Sequence, residues 1–146
     1  METSAAKTND PDYDLEDQVG FVLRMASQRH ASIFQTHMCE NLTPTQFTTL
    51  IRLAEVGRVS QNKLGRMAAM DVATIKGVVD RLKAKKLVLS EPDQVDKRRT
   101  LISLSETGKA LIAELKAAGV RITAQTLAPL TPKEQKTLLA LLHKIS

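Results

Sequence analysis

The chain holds a single cysteine, Cys39, among its 146 residues, and that scarcity excludes several kinds of protein at once. No internal disulfide can form, and no CxxC pair exists to seed a thiolate metal site. An apolar leader is also missing. The opening METSAAKTNDPDYDLED is polar and acidic, so a reducing cytoplasm is the expected compartment. Long hydrophobic runs are absent too: the longest in the C-terminal helical region is LLALL at 138–142, far short of the roughly 20 residues that a membrane span needs. The sequence further lacks GxGxxG after a strand, HExxH, GxSxG and a carboxylate pair in any pocket-forming segment, which predicts a protein that is not an enzyme and needs no cofactor.

What is present is enough apolar material for one core. At 42% hydrophobic the chain suits a single domain stable without cross-links or metals. The formal net charge of +5 is unevenly placed. Residues 61–99 carry ten of the 21 Lys and Arg but only five of the 16 acids, leaving eleven of each elsewhere. The whole excess lies in one central segment, as in a surface that binds a polyanion.

Apolar spacing and capping residues predict a mainly α chain. Residues 1–13 read as a disordered acidic arm, and 14–146 as one domain. Leu15, Val19, Val22, Leu23, Ala26, Ile33, Phe34 and His37 recur at helical spacing, predicting a long helix over about 14–40. Thr43-Pro44-Thr45-Gln46 supplies an N-cap, a first-position proline and a capping box for a second helix ending near Gly57. Ser60 caps a short third helix with Leu64, Met67 and Ala68 inward. Asp71 caps a fourth, running to about Lys85.

Only a few residues separate the third and fourth helices, as in a helix-turn-helix. In the fourth, Val72, Ile75, Val78, Val79 and Leu82 form the inward stripe, while Ala73, Thr74, Lys76, Gly77, Asp80 and Arg81 face away. Small outward side chains let such a helix lie deep in a major groove, with Thr74 and Lys76 reaching base edges or phosphates. LVLSE and RTLISL then read as a β-hairpin whose loop holds Pro92 and Asp93 and whose tip carries Lys97, Arg98 and Arg99. Too crowded to face one way, these cations are expected to divide between DNA and pairing with Asp93 or Asp96. The residues expected to meet DNA are Ser60 and Gln61 at the start of the third helix, Ala73, Thr74, Lys76, Gly77 and Arg81 on the fourth, and Lys97, Arg98 and Arg99 on the hairpin tip.

LTPTQFTTLIRLAE, SQNKLGRMAAMDVATIKGVVDRLKAKKLV and PDQVDKRRTLISLSETGKAL together resemble the MarR family of winged helix-turn-helix repressors, over about 15–145. The wing carries Asp96-Lys97-Arg98 where Asp-Arg-Arg is commoner. The resemblance implies dimerisation helices at 14–40 and 105–146, a DNA-binding lobe at 43–104, and two recognition helices reading an inverted-repeat operator on double-stranded DNA. Leu111, Ile112, Leu115, Val120, Ile122 and Leu127 lining one C-terminal helix, and Leu138, Leu139, Leu141, Leu142 and Ile145 another, suit a homodimer on their own terms.

In that family effectors bind between the dimer-forming helices and the winged lobe. The resemblance thus implies a site drawn from Arg24, Ser27, Arg29, His30 and Phe34, with Phe47 of the second helix, suited to a small aromatic carboxylate. SQRH, LTPTQ and MDVATIKGVVDRL are similar to repressors of nicotinic acid breakdown, whose effector is a hydroxylated nicotinate. Alternatives are a winged protein that binds DNA without a ligand and a metal- or redox-responsive regulator. His30 and His37 lie about 10 Å apart along one helix face, too far to share an ion, and read as packed polar residues. Cys39 has no local cationic cluster and reads as a structural thiol.

Overall fold

A computed structural model describes residues 12–146. The acidic arm expected over 1–13 lies, all but its last two residues, outside the described residues. A single 3-10 turn, Leu15–Asp17, precedes α1 (Val19–His37), and then follow α2 (Pro44–Val56), β1 (Val59–Ser60), α3 (Gln61–Met67), α4 (Val72–Ala84), β2 (Val88–Pro92), β3 (Thr100–Leu104), α5 (Glu106–Leu127) and α6 (Pro132–Lys144).

The caps predicted for α2, α3 and α4 form, and α6 starts on a capping box as well. Thr43 and Gln46 close a capping box on α2, as do Thr131 and Glu134 on α6, while Ser60 Oγ accepts the Lys63 N–H and Asp71 the Thr74 N–H. Each satisfies a donor that a helix start leaves without an intrahelical partner. Gly57 at φ 75° ends α2, a left-handed conformation that costs glycine nothing.

Four expectations need correction. The first helix is shorter than 14–40: it starts at Val19, and stops at His37 because Met38 is extended and Glu40 and Asn41 take φ of 59° and 52°. The hairpin gains a third strand, in the order β1-β3-β2, since Val59 and Ser60 pair with Ile102 and Leu101. Pro92 ends β2 opposite Thr100 rather than lying in the loop. Finally, Val72, expected to face inward, is 66% exposed because nothing among the described residues covers the first turn of α4.

One core serves the winged lobe. Leu50, Leu53, Leu64, Ile75, Leu82, Ile102 and Leu115 are fully buried at its centre, joining α2, α3, α4, the sheet and the first half of α5. A Cβ on Gly65 would stand 2.9 Å from Ile75 Cγ2, so glycine there lets α3 and α4 cross closely. Ile33, Phe34 and Ile122 form a smaller cluster between α1 and α5. Elsewhere the stripe of α1 lies open, with Val19, Val22 and Leu23 exposed, and α6 buries none of its residues.

Candidate functional site

The fourth helix, α4, presents Ala73, Thr74, Lys76 and Arg81 to solvent beside the wing, while Ile75, Val78, Val79 and Leu82 anchor it to the core. Its cap is electrostatically firm: the Asp71 carboxyl is held below the usual carboxylate range by hydrogen bonds from Thr74, chiefly the backbone N–H. That fixes the first turn, and so the origin from which Ala73, Thr74 and Lys76 project. Lys76 Nζ is drawn back to Asp80 Oδ2 at 3.0 Å, in an exposed pair that salt or a phosphate can readily exchange. Gly77 leaves room for Arg81, since a Cβ there would come within 3.3 Å of Arg81 Nη1.

At the wing tip one carboxylate organises the arginines. Asp96 accepts Arg98 Nε at 3.1 Å and lies 3.8 Å from Arg99 Nε, and its side chain accepts the Arg98 N–H as well. The Arg98 side-chain bond is the main reason the Asp96 carboxyl sits below its ordinary range. Arg98 nevertheless remains 91% exposed and Arg99 65%. Lys97 makes no ion pair or hydrogen bond within the described residues. The expected pairing with a carboxylate is found at Asp96, whereas Asp93 instead accepts the Val95 backbone N–H. Two polar clefts flank this tip. One, of about 330 Å³, lies between Ser60, Gln61, Lys63 and Arg66 on one side and Arg98 and Arg99 on the other. The second, of about 390 Å³, brings Gln61, Lys76 and Lys83 against Lys97 and Arg99. Lys63, Arg66 and Lys83 belong to the same cationic surface although sequence reasoning singled out none of them as a site residue. The signal available was their place in the basic 61–99 segment; what was missing was the fold-back of the wing on α3.

The residues expected to form an effector site fall into separate places. Phe34 and Phe47 meet edge to face at 5.9 Å between centroids and 78° between planes. A Cβ on Gly119 would come within 3.1 Å of Phe47 Cζ, so α5 leaves space for that ring. Arg29 donates to the carbonyls of Thr126 at 2.7 Å and Gln125 at 3.1 Å, where the end of α5 leaves acceptors without intrahelical partners. His30 Nδ1 lies 2.8 Å from Thr126 Oγ1, and His37 is hydrogen-bonded to the Gln125 side chain. Arg24 stands apart, its guanidinium 5.9 Å from the Phe21 ring centroid. Ser27 and His30 line an open, mostly apolar groove of about 520 Å³ between α1, α5 and α6, with Val22, Leu23, Leu138 and Leu142. Cys39 is partly buried against the main core, and burial first, then the Glu114 charge, pushes its thiol up, away from the reactive thiolate.

Residues 42–100, spanning α2 to the wing, match the MarR family. The HTH-type transcriptional repressor NicR of Pseudomonas putida is 40% identical over 143 residues, covering 97% of this chain and 90% of that protein. The chain belongs to the MarR family. A probable transcriptional regulator from Pseudomonas aeruginosa superposes with a TM-score of 0.88 at 48% identity, over 91% of this chain and 100% of that one. BpsR of Bordetella bronchiseptica, whose DNA binding is regulated by 6-hydroxynicotinic acid, gives 0.85 at 38% identity, over 91% and 96%. The protein is a MarR-family transcriptional repressor, and its relatives are regulators rather than enzymes. No helix among the described residues is long and apolar enough to cross a membrane.

Proposed function

We propose that this MarR-family chain works as a homodimer that grips an inverted-repeat operator and is released by a small aromatic carboxylate, specifically a hydroxylated nicotinate. One observation carries the reading: the groove between α1, α5 and α6 is apolar along most of its length yet holds Ser27, His30 and Thr126. An exposed apolar strip of this kind calls for a covering surface, and a second copy's terminal helices supply one of matching chemistry. Closed by that copy, the groove becomes a low-dielectric cavity in which an aromatic ring is covered and a carboxylate meets a few polar groups. His30 is the anchor in this scheme, because the Arg29 guanidinium is already committed to two carbonyls of α5. BpsR, 38% identical, supports the choice of a hydroxylated nicotinate.

Two recognition helices on one rigid dimer read two half-sites about one helical turn apart. A ligand releases such a protein only by favouring a dimer shape whose spacing no longer fits. The test is operator affinity with and without 6-hydroxynicotinate, benzoate and salicylate, in the parent and in His30→Ala. The expected result is weakened operator binding by 6-hydroxynicotinate in the parent, and loss of that response with operator binding intact in the variant. No response of the parent to any of the acids would leave a constitutive DNA-binding dimer.

A further inference from the structure

One lysine at the end of the recognition helix is bound in a way that the DNA-binding surface does not explain. Lys85, the C-cap residue of α4, turns away from the wing and donates to the Glu40 carbonyl at 2.9 Å, the Asn41 carbonyl at 3.0 Å and Gln46 Oε1 at 3.2 Å. An ammonium has three hydrogens, and each finds an acceptor. Those acceptors belong to the junction between α1 and α2. Gln46 is only 4% exposed and its side-chain oxygen also accepts the Thr43 N–H, so the socket is built into the start of α2.

The socket depends on an unusual backbone. Glu40 and Asn41 are consecutive left-handed residues, a conformation uncommon for asparagine and rarer for glutamate, which persists where the surroundings determine it. Their two carbonyls converge on one ammonium in this conformation. The same turn borders a cleft of about 370 Å³ lined by Phe34, Met38, Asn41 and Thr43, and Phe34 packs on Phe47. A shift of α1 against α2 therefore changes the turn, and a changed turn changes the hold on α4. Leu42, buried in the main core, keeps the turn close to the lobe, but apolar packing is non-directional. Lys85 supplies the directional link.

We propose that Lys85 is a positioning residue that transmits the ligand state of the groove on α1, by way of the α1–α2 turn, to the recognition helix: the socket of Glu40, Asn41 and Gln46 sets the orientation of α4 through its C-terminal end. This rests on the reading of the protein as a ligand-released repressor.

The experiment measures operator affinity with and without saturating 6-hydroxynicotinate in the parent, Lys85→Met, Lys85→Gln and Lys86→Met. Lys86 is the adjacent cation, and its side chain makes no hydrogen bond or ion pair within the described residues. The Glu40 and Asn41 carbonyls lie at exposed positions and can turn to water, so the Lys85 variants retain their fold, as circular dichroism would report. Coupling between two sites is commonly about 5- to 150-fold, and both Lys85 variants are expected to bring the ratio of the two affinities to within about threefold of unity. Calorimetry should still find them binding 6-hydroxynicotinate, and Lys86→Met should keep the parent ratio. Parent-like ratios in both Lys85 variants would overturn the proposal, and so would an equal loss in Lys86→Met, which would assign the effect to charge alone. A parent ratio of one would instead refute the ligand-released reading, and this proposal with it.

Discussion

Removing Lys97, Arg98 and Arg99 together, each to Ala, isolates the electrostatic contribution of the wing. Lys97 is unpaired within the described residues, while Arg98 and Arg99 share the Asp96 carboxylate. One of the three positive charges is thus already balanced, leaving a net of two per wing. In the proposed dimer, two wings would then neutralise about four phosphates, and at about 0.9 in slope for each phosphate the dependence of log affinity on log salt should flatten by about 3.6. Across a fourfold rise in salt the parent should lose about 150-fold more affinity than the variant. Fluorescence anisotropy on operator and scrambled duplexes over such a range reads this directly, and both duplexes should show the change because phosphate contacts carry no sequence information. Folding should survive, since the backbone bonds of the turn, Arg99 N–H to the Asp96 carbonyl and Asp93 N–H to the Arg99 carbonyl, do not involve these side chains. A variant with the parent's salt slope would show that the wing cations do not meet DNA. A flattening of only about half would mean that one charge per wing, not two, reaches phosphate.

Thr74→Ala or Lys76→Ala should change sequence preference rather than general affinity, costing about 1–3 kcal/mol at the base pair each reads; competition with single-substitution operators checks this, and a uniform loss across all sequences would refute it. The folded-state pKa of Asp71 is depressed by the Thr74 N–H, so its contribution to stability is present above the ordinary carboxylate pKa and is lost as pH falls through the lower folded value. Helicity and operator affinity should therefore decline on acidification below about pH 4, and Asp71→Asn should flatten that decline; an unchanged profile would remove the cap from the account. Gly108→Ala would place a Cβ 2.2 Å from the Leu87 carbonyl oxygen, in the region that fixes α5 on the lobe. Overpacking of this kind costs about 1–3 kcal/mol, visible as a lowered urea midpoint, and an unmoved midpoint would mean that the backbone yields freely.

Much of the lobe was legible because its determinants are local. Thr43 with Gln46, Ser60 with Lys63, Asp71 with Thr74 and Thr131 with Glu134 each bond across three residues, so four helix starts follow from sequence order alone. The stripe Ile75, Val78, Val79 and Leu82 sets which face of α4 is buried, and hence that Thr74 and Lys76 lie on the exposed face. The composition of 87–104 likewise specifies a hairpin with a cationic tip.

What the sequence left open depends on groups far apart in the chain. The short strand β1 exists only because Val59 and Ser60 meet Ile102 and Leu101, a pairing that two residues cannot announce. Past the end of α1 at His37, left-handed Glu40 and Asn41 turn their carbonyls to an ammonium more than forty positions away in the chain. Arg29, expected to anchor a ligand, is held by α5 carbonyls about a hundred residues on, because a helix end offers acceptors that only the packing of α1 against α5 can bring within its reach. The sequence by itself determined the caps, the buried stripe and the cationic wing, which are matters of spacing within a few residues; the tertiary structure decided which polar side chains are already satisfied, since that depends on partners which only the folded chain brings together.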